Sequence, residues 1–340
     1  MKPKQIFVNG RFLTQQQTGI QKFAIGICEE LHRLGHSVNF ICPKHLLKKP
    51  SFGKIIQTGK FSGHLWEQID LPIYVLKNRI SVLVNLGNSA PLLLKNNLVT
   101  IHDLAFLENP NWYTKSYRLL YAFLTPKIIR KAIKVFTVSE NSKQQIVRTY
   151  QVESIKLEVL KQGVNFKISD KKNERIHPKK YFLYVGSIDP RKRISFLIKA
   201  FNKAQLTEYD LVLIGKKNKI FDQQALDLPS NVILKSSVND NELASWYTNA
   251  ESLVLPSIYE GFGRPILESL FFKTEVICSK IPVFEESFND YVHFFNPQSV
   301  SSLAQQFKLQ TSENPKLLAP NCPQDLFSYT FAASTLLKSL

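Results

Sequence analysis

Acidic residues are scarce in the first half of this chain. The 340 residues include 44 Lys or Arg and 27 Asp or Glu, a net charge of +17. Residues 1–168 hold 24 basic and 9 acidic residues, whereas residues 169–340 hold 20 and 18. This imbalance predicts an anionic partner for the first half, such as lipid headgroups, nucleic acid or a phosphorylated acceptor. The alternative explanation of this charge is that the lysines, which are dispersed along the sequence, lie on solvated helix faces and keep the protein soluble.

The sequence also lacks clustered cysteines and long apolar runs. The four cysteines form no C-x-x-C pair and share no metal-ligand spacing with the histidines. We therefore predict unpaired core thiols and no metal site. No run approaches the roughly 18 consecutive apolar residues that a membrane span needs. The N-terminal apolar stretch at 6–8 is too short for a signal peptide and predicts a first strand, so we expect a cytoplasmic protein.

What the chain does contain is an alternation of strand and helix patterns. In the first half, short apolar runs at 38–42 and 134–138 are typical of buried strands. Amphipathic runs at 20–34 and 115–132 predict helices between them. A polar segment at about 165–180 predicts a linker.

The alternation then restarts, from a strand at 181–185 to a terminal helix at 328–340. Because 340 residues exceed one comfortable core, we predict two α/β domains, each a doubly wound parallel sheet, facing a cleft. Their bounds are 1–168 and 169–324, with 325–340 returning to the first domain.

The most informative segment is residues 255–270, Leu-Pro-Ser-Ile-Tyr-Glu-Gly-Phe-Gly-Arg-Pro-Ile-Leu-Glu-Ser-Leu. It predicts a strand, a glycine-rich turn and a helix that opens near Pro265. Glycines let a backbone approach a ligand closely, and a helix N-terminus favours anions, so the turn suits a diphosphate. Glu260 and Glu268 frame it. By physical chemistry alone, an ordinary turn with two surface glutamates is about equally consistent with this pattern.

The spacing Glu260-x7-Glu268 around Gly261-Phe262-Gly263 resembles the signature of glycosyltransferase family four. Members are retaining enzymes with two Rossmann-like domains, the GT-B fold. The resemblance implies that Glu260 contacts the donor sugar, that the Gly261-Phe262-Gly263 backbone binds the diphosphate, and that Glu268 holds the ribose.

A second segment, Tyr184 to Arg193, resembles the family's phosphate-binding loop and begins its turn at Gly186. In that family a lysine, matched by Lys192, neutralises the departing nucleoside diphosphate. The position after Gly186 is often arginine but is Ser187 here, so we assign the second cation to Arg191. Fixed cations of this kind stabilise a leaving group without a metal ion.

Other segments resemble the family in order and spacing. His102 matches a histidine that faces the donor sugar, and Gly19 matches a glycine beside the diphosphate. Ser236 and Ser237 stand where the backbone usually reads the base, with serine in place of the common glycine. The segments His64–Gln68 and Leu71–Pro72 also match, and we interpret them as structural or acceptor-side.

The resemblance implies a metal-independent, retaining hexosyltransferase of mannose or glucose type, without a cofactor. It would use a nucleotide-diphosphate sugar and a lipid-linked or oligosaccharide acceptor in bacterial capsule, O-antigen or exopolysaccharide synthesis. The basic first half would hold the enzyme against the inner face of the cell membrane.

The two glutamates could be taken for the paired carboxylates of a hydrolase, but the glycine-rich turn between them favours ligand binding instead. Two alternatives remain open at this point. A sugar-nucleotide epimerase could share the architecture. A non-catalytic nucleotide- or nucleic-acid-binding protein could use the basic and aromatic residues of 118–131, but their helical spacing predicts that Tyr121 and Phe123 belong to the core.

Overall fold

The computed structural model describes residues 2–166, 176–216, 228–319 and 322–340, which form two compact units. Unit 1 comprises Met1–Glu108, Lys115–Gly163 and Ser328–Leu340, and unit 2 comprises Asn109–Thr114 and Val164–Phe327. The predicted boundary at 168/169 and most of the predicted linker lie outside the described residues.

Unit 1 contains a seven-stranded parallel sheet in the order β3-β2-β1-β4-β5-β6-β7. The order reverses between β1 and β4, and open α/β sheets bind ligands beyond the strand ends at such a reversal. The strands are β1 Gln5–Asn9, β2 Ser37–Cys42, β3 Lys54–Gln57, β4 Leu83–Asn85, β5 Asn97–Thr100, β6 Lys134–Thr137 and β7 Leu157–Val159.

The helices of unit 1 cover this sheet. Gly63–Leu65, a π-helical stretch Trp66–Asp70 and Leu71–Lys77 follow one another without a break, and we call them the 63–77 helix. The helices are α1 Gly19–Arg33, α2 Gly63–Leu65, α3 Leu71–Lys77, α4 Ala105–Glu108, α5 Lys115–Lys131, α6 Glu140–Tyr150 and, after the whole of unit 2, α12 Thr330–Lys338.

Unit 2 repeats the arrangement with six parallel strands in the order β10-β9-β8-β11-β12-β13, which reverses between β8 and β11. Its strands are β8 Lys180–Val185, β9 Tyr209–Ile214, β10 Val232–Lys235, β11 Ser252–Leu255, β12 Glu275–Ser279 and β13 His293–Phe295. Its helices are α7 Ile194–Ala204, α8 Asp240–Thr248, α9 Arg264–Phe271, α10 Pro282–Phe288 and α11 Val300–Gln310.

The C-terminal helix packs within unit 1, against α1. Tyr329, at the start of α12, lies so close to Gly26 that a Cβ on that glycine would sit 2.2 Å from the tyrosine ring. The Thr330 hydroxyl donates to Glu30 at 2.7 Å, and Lys4 donates to the Leu337 carbonyl at 3.3 Å. The last residues of the chain therefore stabilise its first helix.

Two further sequence predictions can be compared with the fold. Cys28, Cys42 and Cys278 are free and buried, whereas Cys322 is free but only half-buried, so it is not a core thiol. Among the described residues, no helix has both the length and the apolar content that crossing a bilayer requires.

Candidate active site

The turn after β8 is built from close backbone contacts. A Cβ added to Gly215, just beyond β9, would sit 1.7 Å from the Gly186 carbonyl oxygen, so the ends of these neighbouring strands meet backbone to backbone. Tyr184 donates from its hydroxyl to the Ser187 carbonyl at 2.8 Å. The turn is thereby held at the reversal of strand order, where a ligand is expected.

Contacts among polar and charged residues connect this turn to the loop that follows β11. Ser187 donates to Asp189 at 2.6 Å, and Arg191 Nε lies 3.4 Å from the other Asp189 oxygen. The Ile258 amide donates to the Arg191 carbonyl at 3.0 Å, which fastens the loop after β11 to this turn. Asp189 thus orients the guanidinium of Arg191.

Lys192 and Glu260 form a buried ion pair at the centre of this arrangement. The Lys192 ammonium donates to Glu260 Oε1, Ser257 donates to the same oxygen at 2.8 Å, and Arg191 Nη1 lies 4.0 Å from Glu260 Oε2. Burial alone would raise the pKa of Glu260, but Lys192 and then Arg191 outweigh it and hold that pKa below its ordinary value. The carboxylate is ionised at neutral pH.

The glycine-rich turn leads directly into α9. Gly263 precedes the helix with a φ of 114°, and a Cβ there would lie 2.6 Å from the Phe284 ring. Only glycine fits this position without strain. Phe262 packs inward against Phe288, with ring centroids 5.3 Å apart. The chain therefore brings backbone, not bulky side chains, to the start of a helix, whose dipole favours anions.

Glu268 lies one turn into α9 and is almost completely buried. Tyr247 donates to its Oε2 at 3.0 Å, and Arg264 donates from Nε to its Oε1 at 2.8 Å. These hydrogen bonds fix the orientation of the Glu268 side chain between α8 and α9. Both partners went unrecognised in the sequence. The i, i+4 spacing of Arg264 and Glu268 was a detectable signal, but nothing local points to Tyr247.

Ser236 and Ser237 follow β10 and line a cavity of about 410 Å³. Lys235, Glu242 and Trp246 contribute to the same cavity. No described contact joins these serines to Glu260 or Lys192.

In unit 1, Gly19 and His102 lie beyond the ends of β1 and β5. Gly19 is exposed at the start of α1, where the Thr18 amide and hydroxyl donate to Gln21. His102 is buried; its amide donates to Asn88 at 2.7 Å, and its Nε2 lies 3.1 Å from the Leu86 carbonyl. Burial lowers the pKa of His102, so the imidazole is neutral at pH 7.

Beyond β1 and β4, the 63–77 helix contributes a buried carboxylate. Glu67 Oε1 accepts from Asn9 at 2.7 Å, from Ser89 at 2.9 Å and from Arg11 Nε at 3.1 Å. Its other oxygen lies 3.2 Å from His64 Nδ1. Burial alone would raise the pKa of Glu67, but Arg11 and His64 bring it below its ordinary value. Arg11, which the sequence did not single out, thus fixes the turn that leads towards Gly19.

The structure therefore brings Lys192, Arg191 and Glu260 together beside the Gly261–Gly263 turn and joins Ser187 to them through Asp189. Gly186 lies at the start of the same loop, and Glu268 is held separately by α8 and α9. Gly19 and His102 belong to the other unit. Among the described residues, no three His, Cys, Asp or Glu side chains come together as a metal site.

Comparisons with known proteins match both units. A family model described as Glycosyltransferase Family 4 matches residues 18–167, and one described as Glycosyl transferases group 1 matches residues 165–319. The O-antigen chain mannosyltransferase RfbU of Salmonella typhimurium is 33% identical over 238 residues. That alignment covers 66% of this chain and 65% of the relative, slightly under two thirds of its length.

Solved structures match over nearly the whole chain. Sucrose-phosphate synthase from Thermosynechococcus elongatus is 18% identical with a TM-score of 0.74, covering 99% of this chain and 98% of that one. Anabaena HepE, solved in complex with UDP-glucose, is 15% identical with a TM-score of 0.71, covering 99% and 100%. At these identities the likeness concerns the fold.

Proposed function

Since the chain belongs to glycosyltransferase family four and has the GT-B fold, we propose that it is a retaining hexosyltransferase of bacterial polysaccharide synthesis. The donor is a nucleotide-diphosphate sugar carrying a hexose of mannose or glucose type. The acceptor is a lipid-linked or oligosaccharide precursor of capsule, O-antigen or exopolysaccharide. The similarity to RfbU, a mannosyltransferase, supports the hexose, and the likeness to HepE, solved with UDP-glucose, supports the nucleotide sugar.

One observation carries this proposal. Two cations and a buried, ionised carboxylate converge beside a glycine-rich turn that opens a helix, at the reversal of strand order in unit 2. The cations suit the negative charge that a leaving diphosphate gains, and the carboxylate suits sugar hydroxyls. A hydrolytic pair is disfavoured, because Glu260 is ion-paired with Lys192 and Glu268 with Arg264.

In the reaction we propose, the bond between the anomeric carbon and the diphosphate oxygen breaks while the acceptor hydroxyl oxygen attacks the same face. The leaving phosphate takes the acceptor's proton, and the anomeric configuration is retained. Lys192 and Arg191 stabilise the departing diphosphate, Glu260 binds the sugar, and Glu268 binds the ribose. No metal ion or other cofactor is required, because these side chains supply the positive charge.

The remaining assignments are Gly19 beside the diphosphate, His102 at the donor sugar, and the Ser236-Ser237 segment at the base. We further propose that the enzyme acts in the cytoplasm at the inner face of the cell membrane. The net charge of +15 on residues 1–168 supports this location, because anionic lipid attracts basic segments.

Product analysis and ligand binding test the proposal together. A ligand that binds the native state raises the apparent melting temperature, so guanosine and uridine diphosphate hexoses can be screened by thermal shift. The donor that raises Tm should then be consumed only when an acceptor is present. Sugar conversion without acceptor would indicate an epimerase, and release of free hexose at the full rate would indicate a hydrolase.

A further inference from the structure

The 63–77 helix has apolar side chains on both its buried and its exposed face. Trp66, Leu71 and Val75 are buried in a core cluster with Ile80 and Leu83. Apart from Lys77 at the end of the helix, the exposed side chains are also apolar. They follow one another at spacings of four, four and three residues and are between 41% and 61% exposed: Leu65, Ile69, Ile73 and Leu76. A helix on a protein surface normally turns charged residues outward, so this face is built for an apolar environment.

A strongly basic helix lies beside it. The ring of Tyr121, in α5, packs against that of His64, with centroids 5.7 Å apart. The 17 residues of α5 include five basic residues and no acidic one. Its exposed large hydrophobic side chains are Tyr117, Leu119, Leu120 and Phe123. Phe123 is 55% exposed, so the prediction from helical spacing that it belongs to the core is wrong.

The loop at residues 90–95 connects the two helices. Gln68 donates to the Ala90 carbonyl at 3.1 Å and accepts from the Leu92 amide at 2.9 Å. Lys131, at the end of α5, donates to the Leu92 carbonyl at 2.9 Å. The next residue, Leu93, is 67% exposed. We call the exposed apolar side chains of the 63–77 helix, of this loop and of α5 the apolar surface.

We propose that the apolar surface enters the headgroup region of an anionic lipid bilayer, with the basic residues of α5 against the lipid phosphates. The proposal rests on the proposed function for its acceptor, because a lipid-linked acceptor resides in such a bilayer. Burial of apolar side chains in the interface and attraction of cations to anionic lipid act together in this kind of binding.

Charge and chemistry favour a bilayer over other occupants. A second copy bound face to face would bring two sets of five α5 cations towards each other, which is repulsive. Nucleic acid would use the cations, but the exposed side chains are mostly leucine and isoleucine, and bases stack on aromatic rings. A bilayer interface accommodates aliphatic side chains and cations at once.

The test uses the full-length chain and flotation with lipid vesicles. One set is phosphatidylcholine alone, and in the other about a third of the lipid is phosphatidylglycerol. The chain should float with the anionic set. The variant Ile73→Asp/Leu119→Asp should bind those vesicles at least about tenfold more weakly, because it places carboxylates in the interface. The matched control Ile155→Asp/Leu309→Asp changes exposed side chains outside the apolar surface and should bind like wild type.

Charge-reversal variants separate the electrostatic contribution to vesicle binding from the contribution of the apolar side chains. Lys127→Glu/Arg130→Glu should remove the preference for anionic vesicles, whereas Lys54→Glu, on strand β3, should not. Wild-type binding should weaken with salt, since exposed charges are screened. Equal binding by wild type and Ile73→Asp/Leu119→Asp would overturn the proposal. The proposal would also be overturned if the wild-type protein formed a dimer that this variant dissociates, or if the wild-type protein bound DNA in preference to vesicles.

Donor binding distinguishes failure of this inference from failure of the proposed function. The apolar-surface variants leave unit 2 unchanged, so the thermal shift with nucleotide sugars should match that of wild type. A normal shift without any vesicle binding would reject the membrane surface and leave the transferase intact. Vesicle binding without any shift would reject the transferase and leave the surface intact.

Discussion

At the scale of single residues, Glu268 combines a buried carboxylate with two partners that keep it in place. Tyr247 and Arg264 both donate hydrogen bonds to it, so its orientation is set before a nucleotide binds. We expect Glu268→Ala to abolish the thermal shift with a nucleoside diphosphate, whereas Glu260→Ala should reduce turnover more than nucleotide affinity. Calorimetric titration and initial rates measure the two effects.

Conservative variants control for damage to the fold. Glu268→Gln keeps the side-chain volume and an acceptor for Arg264 or Tyr247, so it should remain folded while binding nucleotide less tightly. Tyr247→Phe removes one orienting hydrogen bond and should weaken nucleotide affinity by a smaller factor, since one hydrogen bond contributes about 1–3 kcal/mol. Wild-type affinity in Glu268→Ala would contradict the ribose assignment.

The Lys192–Glu260 pair should show different effects on stability and on turnover. Lys192→Met removes the principal cation from a buried carboxylate, so we expect the free energy of unfolding to fall by on the order of 3 kcal/mol. Adding Glu260→Gln removes the buried charge and should restore much of that stability without restoring turnover. Denaturant unfolding and steady-state kinetics check this. Recovery of activity in the double variant would contradict the assigned roles.

His102 should make stability depend on pH. Burial lowers its pKa, so below pH about 6.5 the unfolded chain takes up a proton that the folded chain does not. The free energy of unfolding should therefore fall as pH decreases, by up to about 1.4 kcal/mol per pH unit from this group. His102→Gln should remove that part of the slope. Identical pH profiles from 7 to 5 for both proteins would contradict this account.

At the scale of elements, the alternation of apolar runs was enough to predict most strands and helices. The helices predicted at 20–34 and 115–132 are observed at Gly19–Arg33 and Lys115–Lys131. The 63–77 helix was missed, because apolar residues on both faces leave no 3.6-residue period to detect. Strand β3, with four residues at the sheet edge and no buried position, gives little pattern of any kind.

The packing of α12 on α1 is another feature that only the structure gives. Within a helix, alanine is usually more stabilising than glycine by about 0.5–1 kcal/mol. At position 26, however, a Cβ would overlap the Tyr329 ring. We therefore expect Gly26→Ala to destabilise the protein by about 1–3 kcal/mol and to expose the C-terminal helix to protease. Denaturant unfolding and limited proteolysis measure these effects. Tyr329→Leu in the same chain should make the two changes less than additive.

At the scale of the whole molecule, two observations lay beyond the sequence. Residues 109–114 pack with unit 2 although the chain on both sides belongs to unit 1, and Trp112 lies against Tyr259 with ring centroids 5.8 Å apart. The apolar surface could not be predicted from the sequence either, because the exposure of a side chain depends on packing between distant segments. By contrast, the glycine-rich turn, its two glutamates and Lys192 could be singled out from the sequence, because they lie in short local motifs.

At the same scale, the proposed transferase should work without a divalent cation. In the reaction we propose, Lys192 and Arg191 supply the charge that a metal ion would otherwise bring to the leaving diphosphate. We expect initial rates to be unchanged within error after dialysis against EDTA and without added magnesium or manganese. A loss of activity that magnesium or manganese restores would contradict this expectation.

The central claim is that the turn after Pro256 binds a diphosphate, and a crystal structure with a nucleoside diphosphate bound tests it most directly. The account predicts the diphosphate beside the Gly261–Gly263 backbone, with Lys192 and Arg191 within hydrogen-bonding distance and the ribose at Glu268. A well-ordered nucleotide elsewhere in the molecule, with this turn empty, would contradict it.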